Sequence, residues 1–171
     1  MTKIISIIAL IIVLIGTYTL ISNNDTSKQN DVENKDTKAE ETTTVTSKNT
    51  LDLSSKNLQK VPNDTFNKLS VEELDLSNNN LEGSLQAEIR HMENLKVLNL
   101  SNNNFTGVPA EVGQLSKLEI LDLSNNQLTG LPYEIGNLQN LKVLKLTGNN
   151  YSEMDLLEIQ KKLPTSTIIE K

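Results

Sequence analysis

The chain lacks the residues that several kinds of chemistry require. Its 171 residues include no Cys, no Trp and a single His. The absence of Cys excludes disulfide bonds, thiolate-bound metals, a thiol nucleophile and a lipid-modified Cys. Carboxylates remain as candidates for acid–base catalysis, but they are spread along the sequence and do not converge on one motif. We therefore expect a protein that is not an enzyme and that binds no metal or cofactor.

Positive charge is also scarce. The chain has 16 Lys and Arg against 22 Asp and Glu, which gives a formal net charge of −6. Domains that bind nucleic acid usually cluster Lys and Arg on one face, and no such cluster occurs in this sequence. We expect no nucleic-acid partner.

A long hydrophobic run occurs only at the start of the chain. Residues 4–21 read IISIIALIIVLIGTYTLI and contain no charge. As a helix this run would extend about 27 Å, close to the roughly 30 Å of a bilayer core. A cleaved secretory signal is the alternative. The residues at the end of the run, TYTLISNND, nevertheless lack the small residues that usually mark a cleavage site. The sequence predicts a transmembrane anchor, or a signal segment, over residues 1–21.

The charges beside this run indicate its orientation. Lys3 precedes it and Asp25 follows it, and positive charge favours the cytoplasmic side of a membrane. We expect a single-pass protein whose C-terminal part lies outside the cytoplasm, or a secreted protein if the segment is cleaved. Residues 22–47 hold six acids, three Lys and almost no apolar side chain, a composition that predicts a disordered polar linker.

The rest of the chain repeats one sequence motif at a nearly constant interval. Five equivalent positions define the repeat: Leu51, Leu74, Leu98, Leu121 and Leu144. They are separated by 23, 24, 23 and 23 residues, a period typical of stacked arrays. Each unit follows L-x-x-L-x-L-x-x-N-x-L, most clearly in LEILDLSNNQL at 118–128. The pattern resembles the leucine-rich repeat family over residues 48–151, and LPYEIGNL at 131–138 is similar to repeats of bacterial proteins and plant receptors.

Alternation within each unit predicts a strand with one buried face. Leu121 and Leu123 point the same way on an extended strand, whereas Ile120, Asp122 and Ser124 point the other way. One unit cannot enclose its own leucines, but stacked units pair their strands into a parallel sheet and share a core. The expected fold is an α/β solenoid. The resemblance implies a horseshoe segment with a concave parallel sheet and short convex helical turns.

An Asn follows the strand at the same place in four units. An amide side chain can both donate and accept hydrogen bonds, as the backbone groups of a sharp buried turn require. The resemblance identifies the column as a structural asparagine ladder: Asn79, Asn103, Asn126 and Asn149. The first unit departs from the pattern, because Lys56 occupies this position.

The segments that return from one strand to the next predict helical turns. Pro62, Pro109 and Pro132 begin three of them, and Ile135 with Leu138 shows a three-residue spacing. The second return segment lacks this Pro and carries one extra residue, which accounts for the single 24-residue step.

The last part of the chain, residues 152–171, predicts a capping helix and a short strand. Ser152 is a suitable helix N-cap. An apolar stripe follows it: Leu156, Ile159 and Leu163. Ile168 falls 24 residues after Leu144, so we expect Ile168 to take the place of that leucine in a final strand.

The outward side chains of the strands form the candidate binding surface. The expected partner-binding residues are Glu73, Asp75, Val97, Asn99, Ile120, Asp122, Val143 and Lys145. Val97, Ile120 and Val143 form an apolar line that can seat an apolar side chain of a partner. Glu73 and Asp75 can attract a basic one. The alternative is that β-branched residues occur there because they suit exposed strand positions.

A column of carboxylates on the same surface raises the question of a cation. Asp52, Asp75 and Asp122 share this column, and Asn99 fills the gap. Ca²⁺ takes six to eight oxygens at about 2.4 Å, whereas neighbouring strands lie about 4.8 Å apart. We therefore expect no metal site.

These observations predict a protein-binding module held outside the cytoplasm by its N-terminal helix. The expected ligand is a protein or a peptide, bound on the concave sheet. A small-molecule substrate is not expected, because so small an array has a shallow groove and no deep pocket. The alternatives are a structural or adhesive component of the cell envelope, a secreted binder, and a cytosolic regulatory scaffold whose hydrophobic start is incidental.

Overall fold

A computed structural model of the chain describes residues 49–171. The predicted anchor or signal segment, 1–21, and the predicted linker, 22–47, lie outside the described residues. Within residues 49–171, no helix is both long enough and apolar enough to cross a bilayer.

The described residues contain eight short strands. In chain order they are β1 (Thr50–Asp52), β2 (Glu73–Asp75), β3 (Glu82–Ser84), β4 (Val97–Asn99), β5 (Asn104–Gly107), β6 (Ile120–Asp122), β7 (Val143–Lys145) and β8 (Ile168–Glu170). Six of them form one parallel sheet in the order β1-β2-β4-β6-β7-β8. The predicted parallel sheet of a repeat solenoid is confirmed.

The leucine column sets the register of the sheet. Leu51 pairs with Leu74, Leu74 with Leu98, and the same pairing continues through Leu121 to Leu144. The last four of these side chains are fully buried. The alignment holds even across the 24-residue unit, because a slip of one residue would turn the leucines of that strand to the solvent.

A second layer lies behind the sheet and consists mainly of 3₁₀ turns. They span Asn63–Asn67, Ala87–His91, Ala110–Gln114 and Tyr133–Asn137. The predicted three-residue spacing thus produces 3₁₀ geometry, in which side chains three residues apart lie on the same side. Each turn buries at least one side chain in the core, such as Ile89, Val112 and Ile135.

Two of these turns approach so closely that only glycine fits between them. A Cβ built on Gly113 would lie 2.3 Å from the backbone oxygen of Glu134 in the next turn. Real Cβ atoms do not approach backbone this closely, so the two turns can lie at this spacing only because Gly113 has no side chain.

The helix α1 (Glu153–Gln160) continues the second layer. The Ser152 hydroxyl caps it by accepting a hydrogen bond from the backbone N–H of Asp155, at 3.3 Å. Leu156 and Ile159 are fully buried. The helix packs against the preceding turn, where a Cβ on Gly136 would lie 3.3 Å from the Ile159 backbone oxygen.

The final strand forms, but its predicted register is wrong by one residue. In β8 it is Ile169 that pairs with Leu144, whereas Ile168 pairs with Val143. Ile168 is therefore on the outward face and is 60% exposed. The interval between Leu144 and its partner is one residue longer than expected. An α-helix replaces the 3₁₀ turn of the earlier units, and an α-helix rises less per residue.

A small second sheet, β3 paired with β5, was not predicted. Its register shifts between Gly83 and Ser84, whose partners are Phe105 and Gly107. Thr106 of β5 is therefore the extra residue of a bulge.

Candidate functional site

The outward side chains of the six-stranded sheet form a surface that we call the sheet face. Its first row contains Thr50, Glu73, Val97, Ile120, Val143 and Ile168. The last four lie on adjacent strands and form what we call the apolar row. Val97, Ile120 and Val143 are half-buried and Ile168 is exposed. The structure thus brings the three predicted apolar residues together and adds a fourth, which sequence reasoning missed because its register was displaced.

The second row of the sheet face is polar. It contains Asp52, Asp75, Asn99, Asp122, Lys145 and Glu170, which we call the polar row. The Oδ1 atom of Asp122 accepts hydrogen bonds from the backbone N–H of Ser124, at 3.0 Å, and from its hydroxyl, at 2.6 Å. Asn99 holds Ser101 in the same way. Asp122 and Asn99 therefore close the turns that follow their strands as well as facing the solvent.

This turn-closing role was not predicted, although the sequence carries a signal for it. In the first four units an Asp or Asn stands two residues before a Ser, and Asx side chains commonly bond the backbone two residues further on. The backbone N–H of Ser77 donates to Asp75 Oδ1 at 2.8 Å, and that of Ser54 donates to Asp52 Oδ1 at 2.9 Å. The hydroxyl of Ser54 is the main group that holds the pKa of the Asp52 carboxyl below its ordinary value, and its backbone N–H adds to this effect.

Charge is distributed unevenly over the sheet face. Near one end, Lys145 Nζ lies 3.6 Å from Asp122 Oδ2 and 3.8 Å from Glu170 Oε2. Near the other end lie three carboxylates, those of Asp52, Glu73 and Asp75. Among residues 49–171, none of these three forms a salt bridge; Glu73 instead accepts a hydrogen bond from the Thr50 hydroxyl. The face is therefore negative at β1 and β2 and almost balanced at β6 to β8.

The arrangement offers no cluster of metal ligands. Within the part of the chain that the structure describes, no group of three or more His, Asp or Glu side chains is placed to hold a metal ion. The Oδ1 atoms of the Asp column bond their own turns, and Asp75 Oδ2 accepts a hydrogen bond from the amide of Asn99 at 3.2 Å.

The four ladder asparagines lie at the ends of the strands. Asn103 is representative: its Oδ1 accepts from the backbone N–H of Leu81 at 3.1 Å. Its Nδ2 donates to the carbonyl of Leu100 in its own unit and to that of Leu76 in the preceding unit. Asn79 Oδ1 accepts from the backbone N–H of Lys56, so the first unit is joined to the ladder through its backbone.

The Asn before each ladder position has a different structural role. Asn78, Asn102 and Asn125 have φ of 56°, 54° and 52°, the left-handed region that Asn tolerates better than most residues. This left-handed backbone was not predicted. Their type at three equivalent positions is the signal that could have revealed the left-handed backbone.

Comparison with known proteins identifies the repeat. The sequence profile of the leucine rich repeat matches residues 49–105 and 93–150. The chain belongs to the leucine-rich repeat family. No curated protein matches the sequence significantly. As a leucine-rich repeat domain, the described part of the chain is a protein-binding module.

Solved structures of the family include bacterial and plant proteins. A leucine-rich repeat protein of Leptospira interrogans is 41% identical with a TM-score of 0.61, and the match covers 66% of this chain and 28% of that one. The ectodomain of the receptor kinase SOBIR1 from Arabidopsis thaliana is 29% identical with a TM-score of 0.55, covering 70% of both chains. The plant peptide hormone receptor RGFR1, in complex with RGF2, is 35% identical with a TM-score of 0.57, covering 71% and 21%. The chain thus spans about a quarter of the length of the Leptospira protein that it matches.

Proposed function

We propose that this leucine-rich repeat protein recognises a protein or peptide partner on its sheet face and catalyses no reaction. The observation that carries the proposal is the apolar row. Four β-branched side chains on adjacent strands, Val97, Ile120, Val143 and Ile168, face outward in register. Surfaces of this kind gain binding energy when a partner covers them.

The composition of the sheet face favours a moderate affinity. Trp, Tyr and Arg dominate the strongest contacts in protein interfaces, and none of the three occurs in the two rows of this face. The complex of RGFR1 with RGF2 shows that a related repeat protein holds a peptide hormone, which supports a peptide segment as the ligand here.

Substituting the centre of the apolar row tests the proposal. Exchanging Ile120 and Val143 for Glu would place two charges where the partner packs its apolar side chains, and we expect affinity to fall by at least about 100-fold, since burying an unpaired charge is costly. Pull-down of surface proteins followed by a binding titration with the purified partner measures the loss.

A matched variant makes this test specific. Leu69→Glu with Met154→Glu introduces the same two charges at exposed apolar positions outside the sheet face, since these side chains are 55% and 66% exposed. We expect this control to bind the partner as well as the unmodified chain does. If both double variants are folded by circular dichroism and both bind the partner as tightly as the unmodified chain, the sheet face is not the binding surface.

We also propose that the N-terminal segment, residues 1–21, anchors the chain in a membrane with the repeats outside the cytoplasm. Its uncharged apolar run supports the proposal, and related structures include the ectodomain of a receptor kinase. With a C-terminal tag on the full chain, we expect the tag in the membrane fraction of cells and its removal by protease added outside. A tag protected from protease would reverse the topology, and a tag free in the medium would replace the anchor with a cleaved signal.

A further inference from the structure

The two rows of the sheet face divide it into an apolar part and an acidic part. The apolar row crosses β4, β6, β7 and β8. The carboxylates of the face that form no salt bridge within residues 49–171 lie on β1 and β2. Glu73 is adjacent to Val97 in the first row, and Asp75 is adjacent to Asn99 in the second. A ligand that lies along the rows would therefore pass from an apolar surface to a negative one.

The spacing of the rows matches an extended chain. Neighbouring strands lie about 4.8 Å apart, so the apolar row is about 14 Å long and Glu73 lies about 19 Å from its far end at Ile168. Side chains on one side of an extended peptide repeat every 6.6 to 6.8 Å, at roughly 13 Å for three of them and 20 Å for four. Three alternate apolar residues would thus cover the apolar row, and the fourth position would reach Glu73.

We propose that the ligand is an extended segment with three alternating apolar side chains followed, two residues later, by Lys or Arg. This inference rests on the proposed function and specifies the partner class. The basic side chain lies among Asp52, Glu73 and Asp75, where it gains attraction without displacing a salt bridge already present in residues 49–171. Because Lys or Arg is at the C-terminal end of the segment, the segment runs from β8 towards β2.

Charge argues against two other occupants. The chain's own residues 22–47 carry six acids and three Lys with almost no apolar side chain, so they match neither part of the surface. An acidic ligand would meet the carboxylates on β1 and β2. At the other end of the face, Lys145 is already shared by Asp122 and Glu170.

Three labelled peptides test the proposal on the purified full-length chain by fluorescence anisotropy. The first, VSISVSK, follows the proposed pattern. The second, VSISVSE, changes only the charge. The third, VSKSISV, keeps the composition of the first but moves Lys into the apolar alternation. We expect the first to bind at least about fivefold more tightly than either of the others, with the preference falling as salt screens it.

A variant of the protein links the preference to the carboxylates. In Glu73→Gln with Asp75→Asn, we expect the preference of the first peptide over the second to fall to less than about twofold, while Ile120→Glu with Val143→Glu abolishes binding of all three. Equal binding of all three peptides by the unmodified chain would overturn the proposed polarity and leave the binding function intact. Preference for the Glu peptide would likewise overturn it. If none binds while a protein partner still depends on Ile120 and Val143, the extended-segment ligand is wrong and the sheet face remains the site.

Discussion

Replacing Asn103 by Ala is expected to lower the free energy of unfolding by about 2–4 kcal/mol. The side chain is 6% exposed, and its Oδ1 is the acceptor for the backbone N–H of Leu81. Without it, that buried N–H has neither its acceptor nor water, and leaving such a group unsatisfied costs about 1–3 kcal/mol in itself. The lost packing and the lost Nδ2 bonds add the rest.

The structure also limits how large this loss can be. The carbonyl of Leu76 accepts a hydrogen bond from Asn79 as well as from Asn103, at 2.9 Å in both cases. The carbonyl of Leu100 likewise accepts from Asn126. Both carbonyls therefore keep one donor in the variant, because each interior rung of the ladder is shared by two asparagines.

Asn104→Ala is the matched control for this prediction. Asn104 is adjacent in sequence but exposed, and its amide oxygen accepts a hydrogen bond from the exposed side chain of Gln127, at 3.1 Å. We expect a change within about 0.5 kcal/mol, as for most surface substitutions. Urea denaturation followed by circular dichroism measures both variants, and equal losses in the two would show that the ladder does not stabilise the array.

Replacing Gly113 by Ala is expected to destabilise the fold by roughly 3 kcal/mol, because one added methyl group would overlap the backbone of the next turn. The new Cβ would lie 2.3 Å from the Glu134 oxygen and 2.7 Å from its carbonyl carbon. A flexible side chain could move aside, but this obstacle is backbone within a packed layer. The two turns would have to separate, and the core between them would lose contact.

Gly107→Ala distinguishes this overlap from a general effect of losing glycine. A Cβ on Gly107 meets nothing closer than the Ser84 hydroxyl oxygen, at 3.8 Å. Alanine at an unstrained glycine position usually stabilises a protein by about 0.4–1 kcal/mol, because the unfolded chain loses freedom. Thermal melts of the two variants should therefore shift in opposite directions, and a Gly113→Ala melt as high as that of Gly107→Ala would refute the close packing of the turns.

The sheet could be predicted from the sequence because two regularities agree. Leucines two residues apart specify the buried side of a strand, and a constant interval aligns those strands in one register. The same logic placed Val97, Ile120 and Val143 in one row. It was wrong at Ile168, where the interval changed because an eight-residue α-helix follows the series of five-residue 3₁₀ turns.

Backbone conformation, the Asp and Asn turns and the second sheet were less accessible to sequence reasoning. Leucine periodicity carries no information about φ, so the left-handed backbone at Asn102 and the turn closed by Asp122 were not predicted. The second sheet was also missed, because Glu82–Ser84 contains no alternating apolar residue. Its strand depends on pairing with Asn104–Gly107 in the next unit, which is a property of the stack and not of the segment.

Photo-crosslinking tests most directly the claim that the sheet face is the binding surface. A benzophenone side chain at position 143, in place of Val143, lies in the apolar row, whereas one at position 133, in place of the half-exposed Tyr133, lies on the second layer. With the full chain on intact cells, we predict that irradiation joins position 143 to a distinct polypeptide and leaves position 133 without that product. A product formed from position 133 and absent from position 143 would contradict the claim.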